Sequence, residues 1–190
     1  MARGRYNNAM SNIVQKNNPV LRNKAARVAQ EKFESQELAA IIDKMARAMF
    51  QEPDGIGIAA PQLGISKQIF LVAADVLHPA KLEQRIRESN KTKNTKLISF
   101  TPEDYLVFIN PEFQKTSQEK AKDVEGCLSV RGIYGEVERP KKVTIKYYDK
   151  NEKKHVRGAS GLFARVIQHE IDHLNGILFI DKSKNIQKIA

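Results

Sequence analysis

The chain has 190 residues, 41% of them hydrophobic, and a formal net charge of +10. This length and composition are typical of one compact domain with a hydrophobic core, and no stretch is long and apolar enough to predict a membrane-spanning helix. A single cysteine excludes an internal disulfide framework and favours a reducing compartment, and the N-terminus lacks the pattern of a secretory signal. We therefore expect a cytoplasmic protein.

Residues 1–18 (MARGRYNNAMSNIVQKNN) are predicted to form a flexible N-terminal arm, and residues 19–190 a single catalytic domain. No Asp or Glu precedes Glu31, so an organelle-targeting segment is the alternative reading of the arm, although it is short and has little apolar moment. A helix is predicted after Ser35, whose hydroxyl can cap it. The apolar face of this helix consists of Leu38, Ile41, Ile42, Met45 and Met49.

The next segments predict mainly strands. DGIGIAAPQLG (54–64) is a glycine-rich turn, and QIFLVAAD (68–75) follows as a buried strand. Residues 78–100 are polar and predict a surface excursion that is partly helical. Further strand candidates are YLVFINPEF, KVTIKYY and ILFI, and GLFARVIQHEIDHL predicts a late helix. Strands without regular alternation with helices predict an α+β fold, with mixed or antiparallel strands packed around that late helix.

Part of the positive charge lies in KKVTIKYYDKNEKKHVR, residues 141–157. Val143, Ile145 and Tyr147 alternate with more polar positions, which predicts a half-buried strand followed by a hairpin turn. Positive charge favours acidic partners such as RNA or a ribosomal surface. Because no aromatic-rich nucleic-acid motif accompanies the charge, we expect a solvated strand face and no specific nucleic-acid binding, with a functional basic patch as the alternative.

The late helix carries QHEIDHL, which contains the HExxH pattern of metal hydrolases. His169 and His173 lie one turn apart on the same face, so both imidazoles can reach one ion. Glu170 is rotated by about 100° from His169. Its carboxylate can therefore accept a proton from water activated at the metal and later return it. The alternative is a polar amphipathic helix in which the two histidines have no joint role.

A third protein ligand is expected, because catalytic zinc-type sites usually have three. After His173 the sequence contains no His, Glu or Cys and one carboxylate, Asp181, which disfavours proteases whose third ligand follows the motif. The ligand is therefore Asp181 or lies upstream. Upstream, Cys127 in VEGCLSVRG offers a thiolate, a strong ligand for borderline-soft divalent metals. A buried small hydrophobic residue is the alternative role for this cysteine.

Three separated motifs resemble those of the peptide deformylases: GIGIAAPQ (55–62), EGCLS (125–129) and QHEIDHL (168–174). The resemblance spans about residues 18 to 181 and implies removal of the formyl group from the N-terminal methionine of new proteins, with release of formate. It also implies metal ligands at Cys127, His169 and His173. Iron (Fe²⁺) is the usual native metal of the family, and Zn²⁺, Ni²⁺ or Co²⁺ can substitute.

The same resemblance implies further roles. Glu170 transfers the proton, and the Gln62 side-chain amide and the Leu128 backbone N–H stabilise the negative oxygen of the tetrahedral intermediate. From the sequence alone, Gln62 is equally well read as an amide that closes its loop. The substrate-binding candidates include Gly57, as part of a strand that pairs with the peptide, and its neighbour Ile56. Leu162 and Val166 are the candidates for the methionine pocket, and they are equally good core residues.

Other positions qualify the resemblance. Glu125 and Arg139 are expected to pair in support of the cysteine loop, and Asp172 to anchor the late helix. Arg131 stands where many relatives have proline, the segment 75–105 is longer than in compact bacterial members, and the long C-terminal helix of some members is not expected.

The expected partners are formyl-methionyl nascent peptides and the ribosome surface. Two rival functions remain. A zinc endopeptidase would share the Glu170 chemistry, and cleavage of internal peptide bonds would favour it. A basic RNA- or ribosome-binding module with a structural metal needs a fourth ligand, and the remaining histidines, His78 and His155, are distant in sequence. Salt-dependent RNA binding without hydrolysis would favour that module.

Overall fold

The computed structural model describes residues 12–91 and 100–188 and contains three helices and eight strands in those ranges. The helices are α1 (Gln36–Gln51), α2 (Pro79–Lys91) and α3 (Gly161–Leu174). The strands are β1 (Gly57–Ala59), β2 (Ile69–Ala73), β3 (Tyr105–Thr116), β4 (Lys120–Glu125), β5 (Ile133–Pro140), β6 (Lys142–Tyr148), β7 (Lys154–Ser160) and β8 (Lys184–Lys188). None of the helices in these ranges has the length and apolarity to cross a membrane.

The strands form two sheets in which every pair of named strands is antiparallel. The five-stranded sheet has the order β1-β2-β3-β6-β7, and the three-stranded sheet has the order β4-β5-β8. Helix α3 contacts β1 and β2 and also reaches β5, so the late helix lies between elements of both sheets. This architecture confirms the predicted α+β fold. It also leaves β1 at an edge, paired with β2 alone among the described strands.

The main hydrophobic core joins α1 and α3 to the five-stranded sheet. All five residues of β2 are buried, as expected from its continuous apolar run. Helix α1 begins after Ser35, whose hydroxyl accepts the N–H of Leu38 at 3.1 Å, as predicted. A smaller cluster under the three-stranded sheet consists of Leu21, Val130, Val137, Leu178 and Phe179. It ties the loop after Cys127 to the segment that follows α3.

The basic segment forms the β6–β7 hairpin. Val143, Ile145 and Tyr147 are buried as predicted, and the turn closes with a hydrogen bond from the Asp149 N–H to the Lys153 carbonyl at 3.0 Å. The lysines of the hairpin therefore lie on its solvated side. Helix α2 accounts for the helical part of the predicted excursion at 78–100, whose residues 92–99 lie outside the described ranges.

Two predictions need correction. The ILFI segment is not a strand: Phe179–Asp181 forms a 3-10 turn, in which the Asp181 carboxylate accepts the N–H of Leu178 at 2.8 Å. Leu178 and Phe179 are buried in the smaller cluster, and a short apolar run fits such a turn as well as a strand. The other correction concerns the predicted arm at 1–18.

Residues 12–18 of the predicted arm pack against the domain, whereas residues 1–11 lie outside the described ranges. Ile13 is 7% exposed, and the Val14 N–H donates to the Gln62 carbonyl at 2.8 Å. The Gln15 side-chain amide donates to the Leu128 carbonyl at 3.2 Å. The packed part of the chain thus begins before residue 19, and it contacts two segments of the candidate site.

Candidate active site

Helix α3 and the loop after β4 bring three potential metal ligands together. His169 and His173 are one turn apart on α3, with ring centroids separated by 4.9 Å. The Cys127 Sγ lies 3.2 Å from the His173 Nε2. The three donor atoms lie within 4.8 Å of one another, in the one such group among the residues the structure describes. Asp181, the alternative ligand, instead pairs with Arg22 at 2.5 Å.

The donor set fits one divalent ion. Donors of a tetrahedral metal bound through nitrogen and sulfur lie about 3.3–3.8 Å apart. The Cys127 Sγ and His173 Nε2, at 3.2 Å, are near this spacing, and all three donors lie within 4.8 Å of one another. Burial holds the pKa of His173 well below 6.5, so its imidazole is neutral, the form that binds metals. A thiolate with two imidazoles suits Fe²⁺, Zn²⁺, Ni²⁺ and Co²⁺.

The carboxylate of Glu125, at the end of β4, orients His169. It lies 3.0 Å from the His169 Nδ1 and accepts hydrogen bonds from Arg139 (2.6 and 2.9 Å) and Arg165 (2.7 Å). Burial alone raises the pKa of Glu125, but the hydrogen bonds from Arg139 and His169 outweigh burial and hold it far below 4.5. An ionised carboxylate only accepts, so His169 carries a proton on Nδ1. Burial lowers the pKa of His169, but the hydrogen bonds to Cys127 and Glu125 raise it to about 10, so a metal ion that binds at Nε2 displaces the second proton.

Arg139 connects this carboxylate to the rest of α3. Its Nη1 donates to Asp172 at 2.8 Å, and Lys182 donates to the other oxygen of Asp172 at 2.6 Å. The expected pairing of Glu125 with Arg139 and the anchoring of the helix through Asp172 are therefore both present. The network fixes the rotation of α3, on which the directions of the two imidazoles depend.

We expect Glu125→Gln to weaken metal binding by about 10–100-fold, because the His169 tautomer is no longer enforced. The same change removes one charge from a buried ion-pair network, which costs about 3 kcal/mol in the free energy of unfolding at pH 7. Metal titration and urea denaturation measure the two effects. Glu138→Gln is the matched control, since Glu138 pairs at 3.5 Å with an exposed lysine, Lys120.

The stability effect of Glu125 depends on pH with a defined sign. The pKa of this carboxyl is lower in the folded protein than its ordinary value of 4.5. Its stabilisation of the fold is therefore complete above pH 4.5 and is lost as the pH falls toward and through the folded-state pKa. The difference in unfolding free energy between the parent and Glu125→Gln should therefore shrink as the pH is lowered below about 4.5. A difference that stays constant from neutral to strongly acidic pH would contradict an ionised Glu125.

Gln62 belongs to the 3-10 turn Ala60–Leu63, and its amide orientation is fixed. Its Oε1 accepts the Ala59 N–H at 2.8 Å, so its Nε2 turns toward the cysteine loop. There Nε2 donates to the Ser129 hydroxyl at 3.2 Å and lies 3.6 Å from the Cys127 Sγ. The amide thus closes its own loop and also presents N–H groups beside the metal ligands. The backbone N–H of Leu128 has no hydrogen-bond partner among the described residues.

Glu170 is buried beside β1. Its Oε2 has no hydrogen-bond partner within the described parts of the chain, and burial raises its pKa to about 7. A Cβ at Gly57 would lie 2.5 Å from the Glu170 Oε1 and 2.9 Å from the Val166 Cγ1. The packing therefore requires glycine at position 57, where the edge strand passes directly over the carboxylate.

A cavity of about 320 Å³ joins these groups. Every residue predicted for the site lines it except His173, which is buried behind it; Leu162 lies at the mouth, 42% exposed. Sequence reasoning missed Ser129 and Arg165. Arg165 precedes His169 by four residues and so shares its helical face, a signal that was available. The hydroxyl of Ser129 has no comparable signature.

Comparison with known proteins identifies the family of this chain. A model of the family described as polypeptide deformylase matches residues 10–189. The chain belongs to the polypeptide deformylase family. Its relatives include the peptide deformylase of Natranaerobius thermophilus, 36% identical over 94% of this chain and 95% of the relative. As a member of this family the chain is an enzyme, a hydrolase that removes N-terminal formyl groups.

Two solved structures resemble the whole domain. The class I type b peptide deformylase of Acinetobacter baumannii, in its Met-Ala-Ser bound form, has a TM-score of 0.72 and 32% identity over 90% of this chain and 96% of its own. The Plasmodium falciparum peptide deformylase has a TM-score of 0.72 and 38% identity over 91% and 86%. Each covers at least 90% of this chain, so the deformylase fold extends over most of the domain.

Proposed function

We propose that this deformylase acts on formyl-methionyl nascent peptides, with one divalent ion, Fe²⁺ in the cell, held by Cys127, His169 and His173. The observation that carries the proposal is the meeting of the Cys127 sulfur and two imidazoles within 4.8 Å, next to a cavity that the buried Glu170 lines beside the edge strand β1. The Met-Ala-Ser complex of the Acinetobacter baumannii enzyme supports a peptide substrate that begins with methionine.

When bound, the ion supplies a Lewis acid that polarises the formyl carbonyl and lowers the pKa of a water molecule. Glu170 accepts the proton of that water, for which its Oε2 has no competing partner among the described residues. It then delivers the proton to the leaving amine, so that formate and a free N-terminus result. The negative oxygen that forms on the substrate is stabilised by the Gln62 amide and the Leu128 N–H.

The peptide lies along β1 as an added strand. Gly57 exposes backbone hydrogen-bonding groups on the side away from β2, and main-chain bonds of this kind bind peptides without regard to their side chains. Val166, with Ile56 and Leu162, forms the apolar wall that receives the methionine side chain. The substrate thereby positions its formyl group between Glu170 and the three metal ligands.

Formate release from a formyl-methionyl tripeptide tests the proposal, with protein prepared without oxygen and loaded with Fe²⁺ or Ni²⁺. Release that depends on the metal is the expected result. A folded, metal-loaded protein that releases no formate would refute it. Cleavage of internal bonds in an unformylated protein would then favour the endopeptidase, and RNA binding that weakens strongly with salt would favour the binding module.

We expect Gln62→Ala to lower kcat/KM by about 10²–10³-fold with metal retained, because one donor to the negative oxygen is lost. Ser129→Ala is the matched control, since it removes the acceptor of the Gln62 amide but leaves the amide itself. Formate kinetics, metal content and melting temperature are measured for both. Equal losses of activity in the two variants would indicate that Gln62 only closes its loop.

The ribosome surface is a further proposed partner, supported by exposed cations on the β6–β7 hairpin. Lys142, Lys150, Lys153 and Lys154 are exposed and form no ion pair among the described residues. Such a face attracts phosphate backbones. Cosedimentation with ribosomes that falls with salt, and falls further when these lysines are replaced by glutamine, is the expected result. Cosedimentation unaffected by the four replacements would exclude the hairpin.

A further inference from the structure

One arginine of helix α2, Arg85, reaches the loop before β1. The Arg85 Nη2 donates to the Gly55 carbonyl at 3.1 Å. Its Nε donates to Asp75 at 2.5 Å, and the Nη2 also lies 3.4 Å from the second oxygen of that carboxylate. The two side chains are only 15% and 17% exposed. One guanidinium therefore joins α2, the turn after β2 and the backbone at Gly55.

Gly55 has little freedom to move away from this contact. Its N–H donates to the Glu52 carbonyl at 3.0 Å, and a Cβ there would lie 2.0 Å from the carbonyl oxygen of Met49. The next carbonyl, that of Ile56, accepts the N–H of Ala73 at 3.0 Å. The strand edge at Gly57, two residues after the Arg85 contact, is thus held on one side by β2 and from behind by Arg85.

The guanidinium also packs on α1, with its carbon 5.6 Å from the centre of the Phe50 ring. Its Nη1 is buried and has no hydrogen-bond partner among the described residues. An ion pair that served only to attach α2 could place its guanidinium at the surface and remain fully solvated. Here the Arg85 guanidinium is largely buried and one of its nitrogens is unsatisfied among the described residues, which is unfavourable. In this position it holds the Gly55 carbonyl, just before the strand that we propose binds the substrate.

We propose that Arg85 is a positioning residue that holds the edge of β1 in place for the peptide substrate, so that the α2 segment belongs to the substrate-binding apparatus. The inference rests on the proposed function, in which the peptide pairs with β1. Arg85 does not line the cavity and acts through the Gly55 carbonyl. Its effect therefore reaches the substrate through the position of the Gly57 backbone.

A length dependence follows. A formyl-methionine amide reaches the metal ligands and the methionine wall but has little backbone to pair with β1, whereas a formyl tripeptide pairs along it. Loss of the Gly55 contact should therefore weaken the longer substrate more than the shorter one. A change that merely destabilised the fold would lower the activity on both substrates by the same factor, because it would reduce the fraction of folded enzyme.

The test compares Arg85→Met, Arg85→Lys and Arg87→Met. Arg87 lies on the same helix and pairs only at the surface, at 3.3 Å from Glu83, so Arg87→Met is the matched control. We expect Arg85→Met to lower kcat/KM for formyl-Met-Ala-Ser about tenfold, mainly through KM, and that for formyl-methionine amide less than about twofold. The kcat/KM of Arg85→Lys for formyl-Met-Ala-Ser should lie between those of the parent and Arg85→Met, because a single ammonium cannot reproduce the bidentate contacts of the guanidinium.

Binding of unformylated Met-Ala-Ser to the metal-loaded proteins, measured by calorimetry, gives a second readout that needs no turnover. A tenfold weaker affinity in Arg85→Met is expected. Equal losses on the long and short substrates, or an unchanged tripeptide KM and Met-Ala-Ser affinity in a folded variant, would overturn the inference. If Arg85→Met does not fold, the same comparisons on Arg85→Lys decide. A parent that binds Met-Ala-Ser but releases no formate would refute the proposed function alone.

Discussion

Replacement of Glu170 by glutamine is expected to lower kcat for formate release about a thousandfold while the metal stays bound. Glu170 is not among the three donor atoms that approach one another, so the ligand set is intact in the variant. Glutamine has nearly the same shape and can occupy the same space beside Gly57. It cannot accept the proton of the attacking water, and this single loss accounts for the expected effect.

Metal content and kcat are measured on the same Fe²⁺- and Ni²⁺-loaded preparations, beside Glu138→Gln as a surface control for the chemical change. A large fall in kcat with full metal occupancy separates proton transfer from metal binding. A variant that loses its metal along with its activity would instead place Glu170 in the structural support of the site. Retention of more than about a tenth of the parental kcat would exclude it as the main proton acceptor.

The parts of the site that could be predicted from sequence are those that depend on local periodicity. His169, Glu170 and His173 lie on one helix, and the spacing within a helix fixes which side chains share a face. The cap at Ser35 and the alternation of Val143, Ile145 and Tyr147 follow for the same reason. In each case the contacts lie within a few residues of chain, so the pattern contains the geometry.

The parts that could not be derived locally depend on contacts between distant segments. From the residues alone, the third ligand was either Asp181 or upstream, with Cys127 as the upstream candidate, and the resemblance to a family then assigned the role to Cys127. The structure separates the two candidates because Asp181 is engaged by Arg22 and the N–H of Leu178. ILFI failed as a strand for a related reason, since burial in a turn and burial in a sheet select the same apolar residues.

The ion-pair network behind the ligands shows the same limit. Glu125, Arg139 and Asp172 come from β4, β5 and α3, and their charges alone do not indicate how they pair. The network matters because the Glu125 carboxylate accepts hydrogen bonds from both the Arg139 guanidinium and the His169 imidazole. One carboxylate therefore couples the packing of the three-stranded sheet to the orientation of a ligand on α3, and the stability of the fold and the affinity for the metal should change together.

Replacement of Cys127 by alanine should therefore have the second large effect, and it acts on the metal rather than on the proton. Two imidazoles on one helix turn form an incomplete site, and loss of the thiolate is expected to weaken metal binding at least about a thousandfold, more than the loss of a supporting hydrogen bond would. Formate release should then disappear at metal concentrations that saturate the parent.

Asp181→Asn is the decisive companion to Cys127→Ala, because Asp181 is the other ligand that the sequence allowed. The variant loses an exposed ion pair with Arg22 but keeps the three donors, so metal content after dialysis and formate release should match the parent. Cys127→Ser should retain only part of the metal affinity. Its hydroxyl oxygen can still bind the ion, but it is a harder donor and is less readily ionised than the thiol. Full metal occupancy in Cys127→Ala, or metal loss in Asp181→Asn, would require a different third ligand and with it a different direction of approach for the water that Glu170 deprotonates.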